Sequence, residues 1–230
     1  MSGPAKPALL ILAGGKGTRL ATLDSTRPKP MVLVAGKPFL HWLVDFYRRQ
    51  GYRDFIFSTG HLAEVVESYD WDARFPGATF ASVRETTPLG PGGAVRMIFE
   101  KCQLDAAWVL NGDTLLPQPL PAVDPRHEAI YSVLEKDQLF DATPNLVVEG
   151  ELVVAERAGG HYFDGGAVYV TNRAVARYQG PVPCSIHGLL KPAMDARRVG
   201  FGVVPGTCYD IGTPERYKRF ESFIKDFSKC

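Results

Sequence analysis

An apolar run from Ala8 to Ala13 leads directly into the loop Leu12-Ala13-Gly14-Gly15-Lys16-Gly17-Thr18-Arg19-Leu20, and Arg27-Pro28-Lys29-Pro30 follows. An apolar run that feeds straight into a glycine-rich, cation-bearing loop reads as a phosphate site. Glycines tolerate positive φ and let backbone N–H groups turn inward around an anion. Arg19 and the rigidly held Lys29 add two cations at the same mouth, and a triphosphate suits such a loop. Two other phosphate loops are excluded. No G-x-x-x-x-G-K-[ST] occurs. The dinucleotide fingerprint G-x-G-x-x-G also fails, because Gly15-x-Gly17-x-x reaches Leu20 and the chain then meets Pro28 instead of opening a long helix.

At these residues the chain resembles the sugar-phosphate nucleotidylyltransferases, whose hallmark is L-A-G-G-x-G-T-R-L followed after a short gap by P-K-P. Ala21-Thr22-Leu23 departs from the proline and leucine usual there.

The 230 residues suffice for one domain with a full core, and 45% hydrophobic with 22% charged residues is ordinary for a globular chain. A net charge of +1 leaves no footprint for nucleic acid. There is no long apolar run and no signal-peptide core, so no membrane association and a cytoplasmic location are expected. Cys102, Cys184, Cys208 and Cys230 are scattered and form no C-x-x-C pair, which reads as reduced thiols.

Strand and helix signals alternate through the first 115 residues. Strands are expected over 8–13, 54–58, 79–83 and 107–110, and helices over about 40–50, 62–69 and 92–101. Such alternation predicts a mostly parallel sheet with helices on both faces. After Asp124 the pattern turns to strands over 129–134, 146–154 (broken at Glu149-Gly150-Glu151), 162–170 and 202–204. Asn172 is expected to cap a helix running to Tyr178, and Pro214 to open the last helix. With the resemblance, the expected fold is a single-domain α/β, Rossmann-like nucleotide-diphospho-sugar transferase with a small β-rich sugar-binding lobe. About 1–124 would be the nucleotide-binding half and about 125–230 the sugar-phosphate-binding half.

Asn111-Gly112-Asp113 stands at the tip of the strand over 107–110. A carboxylate there suits Mg²⁺, and it equally suits a turn. Asp210 in Tyr209-Asp210-Ile211-Gly212-Thr213-Pro214 reads as a second ligand or as a cap for the last helix. The resemblance decides both, because the family places a metal aspartate after the central strand and another in a D-x-G-x-P element. Glu85-Thr86-Thr87-Pro88-Leu89-Gly90-Pro91-Gly92-Gly93-Ala94 resembles the family's E-x-x-P-L-G-T-A-G-A, which lies against the base. Glycines at 90, 92 and 93 would let backbone approach a flat ring. Asp164-Gly165-Gly166 resembles the N-x-G of the sugar pocket, with Asp164 where asparagine is usual. The E-K-P lysine that holds the sugar phosphate has no counterpart, and Arg157 is the residue in the right region. His61, His161 and His187 carry no zinc spacing.

The resemblance implies joining a nucleoside triphosphate to a sugar 1-phosphate with release of pyrophosphate. Arg19, Lys29 and Asp113 are then the catalytic candidates. Leu12, Ala13, Gly14, Gly15, Gly17, Thr18, Arg19, Lys29, Glu85, Pro88, Gly90 and Gly112 would bind the nucleotide. Asn111, Arg157, Asp164, Gly165 and Gly166 would bind the sugar phosphate, and Asp113 with Asp210 would hold Mg²⁺. The partners are these two small molecules, with a homo-oligomer as a further expectation. Chain length, Gly60-His61-Leu62 and Asp164-Gly165-Gly166 are most similar to the bacterial D-glycero-D-manno-heptose 1-phosphate guanylyltransferases, with GTP as donor. Mannose, glucose or N-acetylmuramate 1-phosphate remain as alternative acceptors. A glycosyltransferase of similar fold is the other reading, but it has no use for Arg19 and Lys29 at a triphosphate end.

Overall fold

The computed structural model describes residues 6–14, 26–135 and 143–227. The chain divides into two units, one of 1–86, 111–115 and 209–230, the other of 87–110 and 116–208.

The first unit starts with β1 (Ala8–Leu12), a 3₁₀ turn (Lys29–Met31), the short pair β2 (Leu33–Val34) and β3 (Lys37–Pro38), and α1 (Phe39–Arg49). It continues with β4 (Asp54–Thr59), α2 (Ala63–Glu67), α3 (Trp71–Arg74) and β5 (Thr79–Arg84). The chain then enters the second unit with α4 (Gly90–Cys102) and β6 (Ala106–Asn111), and returns for β7 (Thr114–Leu115). The second unit resumes with β8 (Ala129–Leu134), β9 (Leu146–Glu149), β10 (Leu152–Glu156), β11 (Phe163–Thr171), α5 (Asn172–Arg177), α6 (Ile186–Asp195) and β12 (Val199–Val203). β13 (Tyr209–Asp210) and α7 (Pro214–Phe227) complete the first unit.

In the first unit β1, β4 and β5 run parallel, with Leu10 opposite Ile56 and Ile56 opposite Ala81. Leu9, Leu10 and Ile11 are fully buried. Such a continuous apolar run, rather than alternation, is what a strand covered on both faces requires. The aromatic rings of Phe57, Trp71 and Phe80 pack beside this sheet, with Phe57 and Trp71 centroids 4.7 Å apart. Phe39 at the start of α1 meets Phe220 of α7 at 4.6 Å, which fixes the last helix against the first. The second unit is mixed. β11 runs antiparallel to β6 and β8, β12 runs parallel to β8, and β10 lies antiparallel between β12 and β9.

Several local expectations are corrected. The cap of α5 is Thr171, whose hydroxyl accepts the Ala174 N–H, and Asn172 is already helical. The strand expected over 202–204 is β12, displaced toward the N-terminus because Val199 and Gly200 pair with Ala129 and Ile130. α3 and α6 were not anticipated. Gly188 and Pro192 interrupt the α6 pattern, yet Leu189, Leu190, Ala193 and Met194 form one buried face, and Ser185 caps it by accepting the Gly188 N–H.

Candidate active site

The carboxyl ends of the parallel strands converge in the first unit. The N–H of Ala13 donates to the Ser58 carbonyl at 2.8 Å, and that of Glu85 to the Thr59 carbonyl at 2.8 Å. Gly14 sits between them, and a Cβ there would lie 3.1 Å from Glu85 Oε1 and 3.2 Å from the Gly60 nitrogen. A side chain at 14 would crowd this close packing of three strand ends, which brings Leu12, Ala13 and Glu85 to one place. Gly15, Gly17, Thr18 and Arg19 lie outside the described residues.

Lys29 opens the 3₁₀ turn behind Pro28, whose φ of −65° is the value its ring imposes; Pro30 and Met31 are buried. The same turn abuts Gly112. The Gly112 N–H donates to the Leu12 carbonyl at 3.1 Å, and a Cβ on Gly112 would come 3.1 Å from Pro30 Cγ. Pro-Lys-Pro, the end of β1 and the Asn-Gly-Asp turn are thus one packed assembly. Asn111 ends β6 and is exposed.

Within it, Lys29 Nζ forms an ion pair with Asp113 Oδ2, and the Thr114 hydroxyl reaches Asp113 Oδ1 at 3.1 Å. β13 pairs with β7 so that Asp210 lies opposite Thr114, next to Asp113, and the Ile211 N–H donates to the Asp113 carbonyl at 3.3 Å. The second carboxylate reaches the first through this two-residue ladder. Asp210 Oδ1 accepts the Gly212 N–H at 2.7 Å, and Asp210 Oδ2 accepts Arg216 Nη1 at 2.9 Å. A Cβ on Gly212 would lie 3.7 Å from Lys29 Nζ, so Lys29 stands near both acids. Sequence reasoning missed Arg216. The available signal was its position one turn into the helix that Pro214 opens, six residues after Asp210.

Two carboxylates and no soft donor form a set that fits a hard divalent cation, which takes oxygens and leaves room for phosphate and water. Among the described residues no cluster of three or more His, Cys, Asp or Glu could hold a metal. Asp113 and Asp210 would therefore supply part of a coordination shell.

In the second unit, Pro88 is exposed, and Gly90 adopts φ +67°. A Cβ on Gly90 would lie 2.6 Å from the Cys184 carbonyl oxygen, and one on Gly92 2.2 Å from that of Ser185. The Gly92 N–H donates to the Cys184 carbonyl at 2.9 Å. These two glycines thus serve a backbone-to-backbone contact that the sequence reading, which assigned them to a base, did not foresee.

Asp164 lies where β11 bulges away from β8, the register breaking between Asp164 and Val168. Its Oδ1 accepts the Gly166 N–H at 2.8 Å, and its own N–H donates to Asn145 Oδ1 at 3.0 Å. Gly165 lies against Ser132, whose carbonyl and hydroxyl oxygens would both be 2.9 Å from a Cβ at 165. Burial, reinforced by the Glu156 charge and opposed by the Gly166 N–H, pushes the Asp164 carboxyl up to about 6. Glu156 accepts Asn145 Nδ2 at 3.1 Å and lies 3.4 Å from His187 Nδ1. Arg157 is exposed, with its backbone N–H on the Asn145 carbonyl at 2.8 Å. Asn145, Glu156 and His187 join this group without any sequence signal, because β9, β10 and α6 bring them together from distant segments.

A family profile for the MobA-like NTP transferase domain matches residues 9–122. The D-glycero-alpha-D-manno-heptose 1-phosphate guanylyltransferase of Aneurinibacillus thermoaerophilus is 28% identical over 95% of this chain and 98% of its own. The protein of the same name from Campylobacter jejuni is 29% identical over 92% and 97%. HddC from Yersinia pseudotuberculosis, also solved as a complex with GMP-PN, has a TM-score of 0.79 at 24% identity, covering 95% of this chain and 100% of that one. The inositol-1-phosphate CTP transferase of T. maritima has a TM-score of 0.79 at 18% identity, covering 96% and 97%. With a MobA-like NTP transferase domain matched over residues 9–122 and full-length relatives named as sugar-phosphate guanylyltransferases, the chain is a nucleotidyltransferase enzyme.

Proposed function

We propose that the protein transfers the guanylyl group of GTP to D-glycero-D-manno-heptose 1-phosphate, giving GDP-heptose and pyrophosphate. The observation that carries the reading is the cluster of Lys29, Asp113 and Asp210 beside the end of β1. Its specificity is supported by two relatives, aligned over nearly their whole length, that bear the name of this activity.

The sugar-phosphate oxygen attacks the α-phosphorus in line, and pyrophosphate leaves opposite. Such a reaction asks the protein mainly for positioning and charge stabilisation. Lys29 stabilises the negative charge that shifts at the α-phosphoryl. Arg19 and the backbone from Gly14 to Thr18 hold the departing phosphates. Asp113 and Asp210 would hold a Mg²⁺, which when bound would supply charge neutralisation for the phosphates. Glu85, lodged against Gly14, accepts the N1–H and N2–H of guanine. A site with that acceptor favours a base that presents those two donors. Asp164, with the backbone of Gly165 and Gly166, meets sugar hydroxyls, and Arg157 the sugar phosphate.

A second reading has mannose or glucose 1-phosphate as acceptor. A mannose-1-phosphate guanylyltransferase of Mycobacterium tuberculosis is 39% identical over 46% of this chain and 30% of its own, which favours guanine without fixing the sugar. The test is pyrophosphate release with GTP, UTP, dTTP, CTP and ATP against heptose, mannose and glucose 1-phosphates. Preference for GTP with the heptose is expected. Preference for UTP or dTTP with glucose 1-phosphate overturns the heptose reading and leaves the reaction class standing.

A further inference from the structure

Each of the two candidate metal carboxylates already has a cation of its own, and the two pairs differ in kind. Asp113 is the more open, with its side chain 34% exposed against 17% for Asp210. On Asp113 the ammonium of Lys29 takes Oδ2, and the neighbouring Thr114 hydroxyl touches Oδ1. A lysine ammonium is a point charge on a flexible stem and can swing between oxygens at little cost. Asp210 is held from two sides, by the Gly212 N–H on Oδ1 and the Arg216 guanidinium on Oδ2.

Arg216 is anchored in turn. Its N–H donates to Thr213 Oγ1 at 3.3 Å, and the next residue, Tyr217, donates its hydroxyl to the Leu33 carbonyl at 2.7 Å. α7 therefore fixes Arg216 to the strand that follows Pro-Lys-Pro. A carboxylate has about four lone-pair sites, so Asp210 keeps oxygens for a further partner while Arg216 stays in place.

We propose that Lys29 and a divalent cation compete for Asp113, so that metal uptake turns Lys29 toward phosphate, while Arg216 is a positioning residue that keeps the Asp210 carboxylate oriented for the metal. The proposal rests on the reading of Asp113 and Asp210 as metal ligands. It links metal loading to the delivery of the catalytic cation, without any movement of the fold.

The test is Mn²⁺ binding to the full-length protein without nucleotide, read from the free-ion electron paramagnetic resonance signal. Lys29→Met is expected to bind Mn²⁺ about two- to fivefold tighter than wild type, the range that loss of a partly exposed ion pair converts to. Lys29→Arg, which keeps the charge, is expected to match wild type. Arg216→Gln is expected to weaken binding, and Arg216→Lys to restore most of it. A cation that only offset the charge of Asp210 would compete with the metal, so tighter binding in Arg216→Gln overturns the positioning role. Mn²⁺ binding that requires Asp113 but is no tighter in Lys29→Met overturns the competition alone. Binding indifferent to both Asp113→Asn and Asp210→Asn removes the metal reading, and the proposal with it.

Discussion

Gly112 donates its backbone N–H to the Leu12 carbonyl across 3.1 Å, and a Cβ on Gly112 would sit 2.4 Å from that oxygen. The end of β1 and the Asn-Gly-Asp turn are thus locked by one hydrogen bond that only glycine permits. Gly112→Ala is expected to push the turn off β1, with a cost of about 1–3 kcal/mol for overpacking. Asp113 would move with it. Urea unfolding and turnover should fall together; an active variant of wild-type stability would refute the close-approach account.

Asp113→Asn and Asp210→Asn are each expected to lower turnover about 10²-fold or more, the scale of a lost electrostatic stabiliser at a transferring phosphoryl group. Circular dichroism should show an unchanged fold, since both residues are partly exposed and lie at strand ends. Near-wild-type turnover of either variant at saturating Mg²⁺ removes that residue from the metal site.

Lys29→Ala should slow the chemical step in single-turnover experiments more than it weakens GTP binding. Arg19→Ala should do both. Unchanged single-turnover chemistry in Lys29→Ala would remove it from the α-phosphoryl.

Asp164 gives a pH signature in stability. Its folded value, about 6, is above the ordinary 3.8, so folding favours the protonated acid. The stability it contributes is full below about 3.8 and is lost as pH rises through about 6. Asn can still accept the Gly166 N–H without carrying a charge. Asp164→Asn is therefore expected to match wild type near pH 4 and to exceed it by on the order of 1–2 kcal/mol at pH 8. Thermal melts across this range check it, and a gain that grows toward acid would contradict it.

His41 has the opposite sign. Burial, aided by the charge of Lys37, holds it down at about 4, and its Nδ1 lies 3.0 Å from the Tyr69 hydroxyl. Its neutral form is the one the fold accommodates. The stability it contributes is present above 6.5 and lost as pH falls through about 4. His41→Gln should flatten stability between pH 6.5 and 4; an unchanged acid limb in urea titrations would contradict the assignment.

What the sequence disclosed was whatever depends on local chemistry. Ala8 to Ala13 reads as a strand because a doubly covered strand is uniformly apolar, and Pro214 marks the start of α7 because proline suits a first helical turn. The family resemblance, and not the residues alone, picked out Asp113 and Asp210 beside Lys29, and the structure gathers all three. What remained hidden depends on pairing across long separations. Arg216 acquires a role only once β13 and β7 pair, and Gly92 acquires its reason only when Ser185 arrives against it. Two glycines that look alike in sequence, Gly14 and Gly90, serve strand ends in one case and a loop backbone in the other.

The Asp210 to Thr114 ladder also sets an order of assembly. Asp210 follows Asp113 by 97 residues (210 − 113), and Arg216 and Tyr217 lie further on. During synthesis β1, β4 and β5 can pair as soon as they emerge, since their separations are short. The second carboxylate and the helix that holds it join only after the whole intervening stretch has left the ribosome. A nascent chain can therefore own a folded strand core long before Asp210 joins Lys29 and Asp113.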